Sequence, residues 1–193
     1  DIPVTIKCRT GVDDNDDYEF LKSFIITVKD SGVKTFIIHA RKGILNGLSP
    51  RQNRNIPPLN YQKVYSIKED FPELEIIING GIKDIIEVKN HLNYVDGVML
   101  GRAAYDDPFM LSDIDSEIYS NIKIEISRKD LLTEYLDYVH LMTKKGYDLK
   151  IMMKHVFGLK KGEKDAKRFR VKVAEIMSSS SLVENKDELL SMV

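Results

Sequence analysis

This 193-residue sequence is poor in the features that mark several protein classes. It holds one cysteine, Cys8, which excludes a disulfide framework and any cysteine-rich metal site and suits a reducing compartment. No apolar run reaches the roughly 18 residues a membrane span needs. The chain opens Asp1-Ile2-Pro3, without a methionine or a basic-then-apolar leader. A secretory signal is therefore not expected, and the start reads as a cut within a longer protein. A charge of one sign is missing too: 29 Lys and Arg face 30 Asp and Glu, a net charge of -1. That balance hides a local bias. Between His140 and Lys172, eleven Lys and Arg stand against three Asp and Glu, a pattern that fits either a polyanion-binding surface or a solvated helix face.

What is present is ordinary globular composition, 42% hydrophobic and 31% charged, enough for one sizeable domain or two small ones. Four apolar runs, residues 2–8, 34–40, 74–79 and 95–100, read as strands. Between them, residues 18–31, 61–70 and 83–93 show helical spacing, for example Phe20, Leu21, Phe24, Ile25 and Val28 ahead of Gly32. Strands alternating with helices predict an α/β fold with a parallel sheet. Four such units make half of an eightfold barrel, so either another half belongs to the protein or the units form a smaller open sheet. Further on, the pattern becomes helical from about Ile124, with helices over 128–144, 148–157 and 164–177 and a last one near 186–193. The domain boundaries that follow are 1–107 for the β/α part, 108–127 for a connector and 128–193 for a helical bundle.

Each strand-like run ends in polar or glycine residues: Lys7-Cys8-Arg9, His39-Ala40-Arg41, Asn79-Gly80-Gly81 and Gly101-Arg102. Period-two alternation puts Lys7 with Arg9 and His39 with Arg41 on one face, opposite Val4, Ile6, Cys8, Phe36, Ile38 and Ala40. In β/α barrels the loops at the carboxyl ends of the strands build the active site. The glycine turns and Arg102 can cradle a phosphate, or simply cap strands. Lys7 and His39 are either ordinary polar residues or donors to an electron-rich heterocycle. Cys8 faces away and reads as a structural thiol. His91 carries no assignment, and His140 reads as core or boundary. Phe157 and Phe169 read as core within the basic segment.

These residues match a specific pattern. Pro3-Val4-Thr5-Ile6-Lys7-Cys8-Arg9, Phe36-Ile37-Ile38-His39-Ala40-Arg41-Lys42, Ile78-Asn79-Gly80-Gly81-Ile82 and Asp96-Gly97-Val98-Met99-Leu100-Gly101-Arg102-Ala103 resemble the second barrel half of the tRNA dihydrouridine synthases. The run from Gly47-Leu48-Ser49-Pro50 to Ile56-Pro57-Pro58-Leu59 is similar to the A-type branch, as is Lys154-His155-Val156-Phe157-Gly158-Leu159 in the helical part. The resemblance implies the C-terminal half of a TIM (β/α)8 barrel followed by an all-α helical bundle. It also implies FMN as cofactor, NADPH as reductant and uridine of the tRNA D-loop as substrate, with no metal and no membrane. By position, Lys7 and His39 would contact the flavin ring, and Asn79, Gly80, Gly81, Gly101 and Arg102 would hold its phosphate or its approach. Arg41 and Lys42 would face substrate, and Lys154, His155, Lys160, Lys161, Lys167, Arg168 and Arg170 would bind tRNA.

The family's general-acid cysteine would lie upstream of Asp1, and no catalytic residue is expected within these 193, which alone should lack reductase activity. A cytoplasmic location is expected, an organelle being the other option. The rival readings are a small-molecule FMN-barrel oxidoreductase, which does not need the basic tail, a non-catalytic RNA-binding module, and a phosphate-binding isomerase or aldolase barrel, which would want a carboxylate base at these strand ends.

Overall fold

The computed structural model describes residues 2–119, 126–179 and 181–193. The chain divides into two compact units, Asp1–Gly101 and Arg102–Val193.

In the first unit, strands β1 (Thr5–Arg9), β2 (Thr35–His39), β3 (Glu75–Asn79) and β4 (Gly97–Met99) form one sheet in the order β1-β2-β3-β4. All three pairings are parallel. Parallel neighbours need a crossover, and α1 (Tyr18–Lys29), α2 (Tyr61–Asp70) and α3 (Ile85–His91) supply one each. The expected α/β architecture holds. Helix starts are set by side chains that satisfy orphan amides: Asp17 accepts from the Phe20 N–H, Asn60 from Lys63 and Asp84 from Glu87. Helix α1 stops ahead of Gly32, whose φ of +96° favours glycine.

Alternation sorts the sheet's two faces. Phe36, Ile38, Ala40, Ile76 and Ile78 are completely buried, as are Ile25 of α1 and Val64 and Ile67 of α2. The opposite face carries Thr35, Ile37, His39, Ile77 and Asn79, all only partly buried. Strand β1 and the residue leading into it depart from the expectation: Val4, just ahead of the strand, is 64% exposed and Ile6 only half-buried. As the outer strand of the described sheet, β1 has a strand partner on one side alone, and its flank is less covered.

The elements described in the second unit are helical. Beyond the short α4 (Arg102–Asp106) and α5 (Met110–Ile114), α6 (Arg128–Lys144), α7 (Leu149–Met153), α8 (Ala166–Ser179) and α9 (Leu182–Leu190) enclose a core of their own. Leu132, Leu136 and Val139 of α6 meet Met153, Phe169, Val173, Ile176 and Leu189 there, each wholly buried. Ser127 caps α6 by accepting from the Asp130 N–H. The last helix begins earlier than expected, at Leu182. Residues 120–125, including the switch near Ile124, lie outside the described residues. No helix among the described residues is long and apolar enough to cross a membrane.

Gly158 sits where a side chain has no room: a Cβ there would overlap the Asp106 carbonyl and lie 3.0 Å from Pro108 Cδ. Gly158→Ala is accordingly expected to destabilise the second unit by about 1–3 kcal/mol, read by urea unfolding. An unchanged midpoint would mean that the α4 end yields freely.

Candidate functional site

The sheet register places Arg9, His39, Asn79 and Met99 in one row across the four strands, at their carboxyl ends. Partners in register point their side chains to the same face, so one face of the sheet presents a cation, an imidazole and an amide together. Lys7, one pleat back, reaches over β2. Its Nζ donates to Asn79 Oδ1 at 2.9 Å. Asn79 Nδ2 in turn donates to the Met99 carbonyl at 2.7 Å. One amide thus links β1, β3 and β4 at the mouth of the sheet.

His39 lies against the following turn: a Cβ added to Gly80 would stand 3.2 Å from His39 Nε2. Both turn glycines have positive φ, +114° at Gly80 and +77° at Gly81, which L residues rarely adopt. Gly81 backs onto the α2 start, where its Cβ would meet Leu59 Cδ1 at 2.5 Å and Tyr61 Oη at 3.0 Å. The phenol of Tyr61 donates to the Gly80 carbonyl at 2.9 Å. Gly101 follows β4, and a Cβ there would meet nothing within 4 Å, so its backbone is open to a large neighbour. Arg102 opens α4 and belongs to the second unit.

Desolvation pushes the Lys7 ammonium below its ordinary value, with Arg9 adding to the shift and Cys8 opposing it. Burial pushes the Cys8 thiol up to about 11, so it stays protonated at neutral pH. It lies on the face opposite Lys7, as alternation predicts.

Arg41 and Lys42 have different surroundings from the trio. The Arg41 guanidinium donates to the Asn55 and Pro57 carbonyls. Lys42 Nζ donates to the Asp13 carbonyl at 2.9 Å and pairs with Asp16 at 3.2 Å. Arg9, which sequence reasoning placed on the site face without a role, joins them by donating to the carbonyls of Lys42 and Asn53. Arg9 and Arg41 thus satisfy carbonyls of the long loop after β2, which have no ladder to pair with, and Lys42 satisfies one in the segment after β1.

In the second unit, Lys154, His155, Lys161, Lys167, Arg168 and Arg170 are exposed. Lys160 is half-buried, and its ammonium donates to the Met192 carbonyl. His155 packs edge-on against Tyr105 with ring centroids 5.6 Å apart. Phe169 is core, and Phe157 is packed partly buried against it, leaving neither free to stack on a base. A pocket of about 560 Å³ beside His155 is walled by Phe109, Leu131, Tyr135 and Val156 and is too apolar to hold an anion.

Sequence reasoning passed over Tyr61 and His91. His91 is 4% exposed, and burial pushes its imidazole down from its ordinary value. The signal available for Tyr61 was its place two residues beyond Leu59, at the helix start behind the glycine turn.

Comparison with known proteins accords with this geometry. The dihydrouridine synthase (Dus) family model matches residues 1–192. The chain is 44% identical over 176 residues to the tRNA-dihydrouridine(20/20a) synthase of Vibrio cholerae, covering 91% of this chain and 54% of that protein. It is 45% identical over 175 residues to the enzyme of that name from Shewanella oneidensis, covering 91% and 52%. For the one from Synechocystis the identity is 43% over 170 residues, covering 88% and 51%. The chain spans about half the length of the curated relatives it matches. With the family model covering almost every residue, the chain belongs to the dihydrouridine synthase family.

Proposed function

We propose that this chain forms the flavin-binding second half of a (β/α)8 barrel, residues 1–107, a connector, 108–127, and a helical tRNA-binding domain, 128–193, of an FMN-dependent, NADPH-driven tRNA dihydrouridine synthase. The observation that carries this reading is the convergence of Lys7, His39 and Asn79 at the carboxyl ends of parallel strands beside the Gly80-Gly81 turn. The relatives' shared name, tRNA-dihydrouridine(20/20a) synthase, supports the substrate.

The residues suit FMN chemically. A fixed cation, an imidazole and an amide on one face match an electron-rich heteroaromatic ring, and the N–H groups of the glycine turn match a phosphate. Gly101, open on its Cα side, leaves the backbone approachable. Lys7 and His39 would hold the ring system, Asn79 would orient Lys7, and Gly80, Gly81, Gly101 and Arg102 would hold the phosphate end. When bound, FMN reduced by NADPH would supply the hydride for C6 of the target uracil, leaving oxidised flavin for NADPH to reduce again.

Lys7 offers a positive charge that is strongest where solvent is excluded, and its link to Asn79 keeps it in place. Cys8 is unsuited to donate a proton there, being on the other face of β1, which agrees with a general acid contributed by the remainder of the protein. Arg41 and Lys42 would act on substrate through the two loops they brace. The target base has to leave its stack to reach such a mouth, so the exposed cations of the helical unit would grip the folded tRNA by its phosphates.

The absorption spectrum of the full-length protein as purified tests the cofactor, with flavin bands expected. NADPH-dependent dihydrouridine formation on unmodified tRNA tests the reaction. A colourless protein inactive on tRNA with added FMN would overturn the proposal. For the tRNA surface, replacing Lys167, Arg168 and Arg170 together by glutamine is expected to flatten the dependence of log K on log salt by about 2–3, each lost phosphate contact removing about 0.7–0.9 from the slope. An unchanged slope would place the tRNA on another face.

A further inference from the structure

Behind the glycine turn lies an aromatic cluster that the flavin chemistry does not use. Tyr61 begins α2, and its neighbour Asn60 is anchored by donating its N–H to the Ala40 carbonyl at 2.8 Å. Ala40 in turn donates to the Asn79 carbonyl at 2.8 Å, so the helix start is tied to the ends of β2 and β3. The Tyr61 ring meets His91 edge to face, with centroids 4.5 Å apart and planes at 70°. His91 is held from its other side by the Tyr65 hydroxyl, 2.6 Å from Nδ1. Tyr65 stacks on Tyr94 at 4.4 Å. The Tyr61 hydroxyl is therefore set on a rigid base, and it donates to the Gly80 carbonyl at 2.9 Å.

That hydrogen bond has a geometric consequence. A peptide unit is planar and trans, so its carbonyl and the following N–H point in opposite directions. Fixing the Gly80 oxygen toward α2 turns the Gly81 N–H away from α2. Among the described residues that N–H donates to no acceptor. Both glycines sit at positive φ, where the absence of a Cβ leaves no side chain to fix how the peptide between them is turned. Something outside the turn must do so.

We propose that Tyr61 is a positioning residue for the cofactor's phosphate: its hydroxyl holds the Gly80 carbonyl so that the Gly81 N–H is presented to an anion at the end of β3. The inference rests on the flavin reading above and adds a residue to it. His91 and Tyr65 fix the ring, while the hydroxyl alone sets the peptide. Removing that hydroxyl keeps the ring packing and releases the turn.

The test uses the full-length protein stripped of flavin, titrated with FMN and, separately, with riboflavin, which has the same ring but no phosphate. Tyr61→Phe is expected to weaken FMN binding about tenfold, the worth of one oriented hydrogen bond, and to leave riboflavin binding unchanged. Tyr65→Phe removes a hydroxyl from the same cluster without touching Gly80, and is expected to leave the ratio of the two affinities as it was. Equal losses for both ligands in Tyr61→Phe would overturn the proposal, since that is what general loosening gives. So would unchanged FMN binding, or a Tyr65→Phe variant that loses FMN selectively. Should the unsubstituted protein bind neither ligand, the flavin reading itself fails and this inference goes with it. That outcome is distinct from one in which flavin binds but the hydroxyl is irrelevant.

Discussion

Lys7→Met is expected to lower kcat/KM for the proposed tRNA reduction in the full-length protein by about 10²–10³-fold, the size typical of losing one preorganised electrostatic donor. The variant is expected to stay folded. Lys7 makes one exposed side-chain hydrogen bond, to Asn79, so its removal should cost stability only about 0.5–1.5 kcal/mol. Activity and stability therefore separate, which distinguishes a catalytic lysine from a structural one. The pH profile adds a second check. Because desolvation lowers the Lys7 pKa, its positive charge is lost at a lower pH than that of a free lysine. Activity should fall as pH rises through that point, an alkaline limb that Lys7→Met lacks. A loss under tenfold, with the limb intact, would remove Lys7 from the chemistry.

Phe36→Ala should have the largest effect on stability, about 3–5 kcal/mol. Phe36 is completely buried on the helix-covered face of β2, among the largest side chains with no exposure. Truncating it leaves a cavity between sheet and helices, and the whole of a domain's stability is only about 5–15 kcal/mol. Val4→Ala is the control, since Val4 is 64% exposed and its truncation should stay within about 0.5 kcal/mol. Denaturant midpoints of the two variants measure the contrast. Similar losses would mean that the period-two sorting of faces is not what holds the sheet.

That sorting is also what made the site legible. Lys7, His39 and Asn79 share a face because each occupies an odd place along a strand; His39 and Asn79 close their strands where an apolar run stops, and Lys7 sits one pleat back from the end of its own. Both facts are written locally. The strand boundaries were similarly local, although β4 shrinks to Gly97–Met99, and α3 starts only at Ile85, where Asp84 caps it. What could not be read was partnership over distance. Arg41 and Lys42 follow the carboxyl end of β2 beside the trio, yet their donors meet loop carbonyls up to 29 residues away in sequence. His91 resembled a surface residue because its burial depends on Tyr61 and Tyr65, which come from another helix. Val4 obeys the pattern of a covered face, but it falls just ahead of β1, which only the sheet order reveals as an outer strand.

The bridge through Asn79 has a last consequence. Its side chain is used as a directed object, accepting on one flank from Lys7 and donating on the other to the Met99 carbonyl. Neither aspartate nor leucine can copy it: the first would set an anion against a carbonyl oxygen, and the second would hold neither neighbour. The position reads a dipole with a sense of direction, and only an amide carries one of that size.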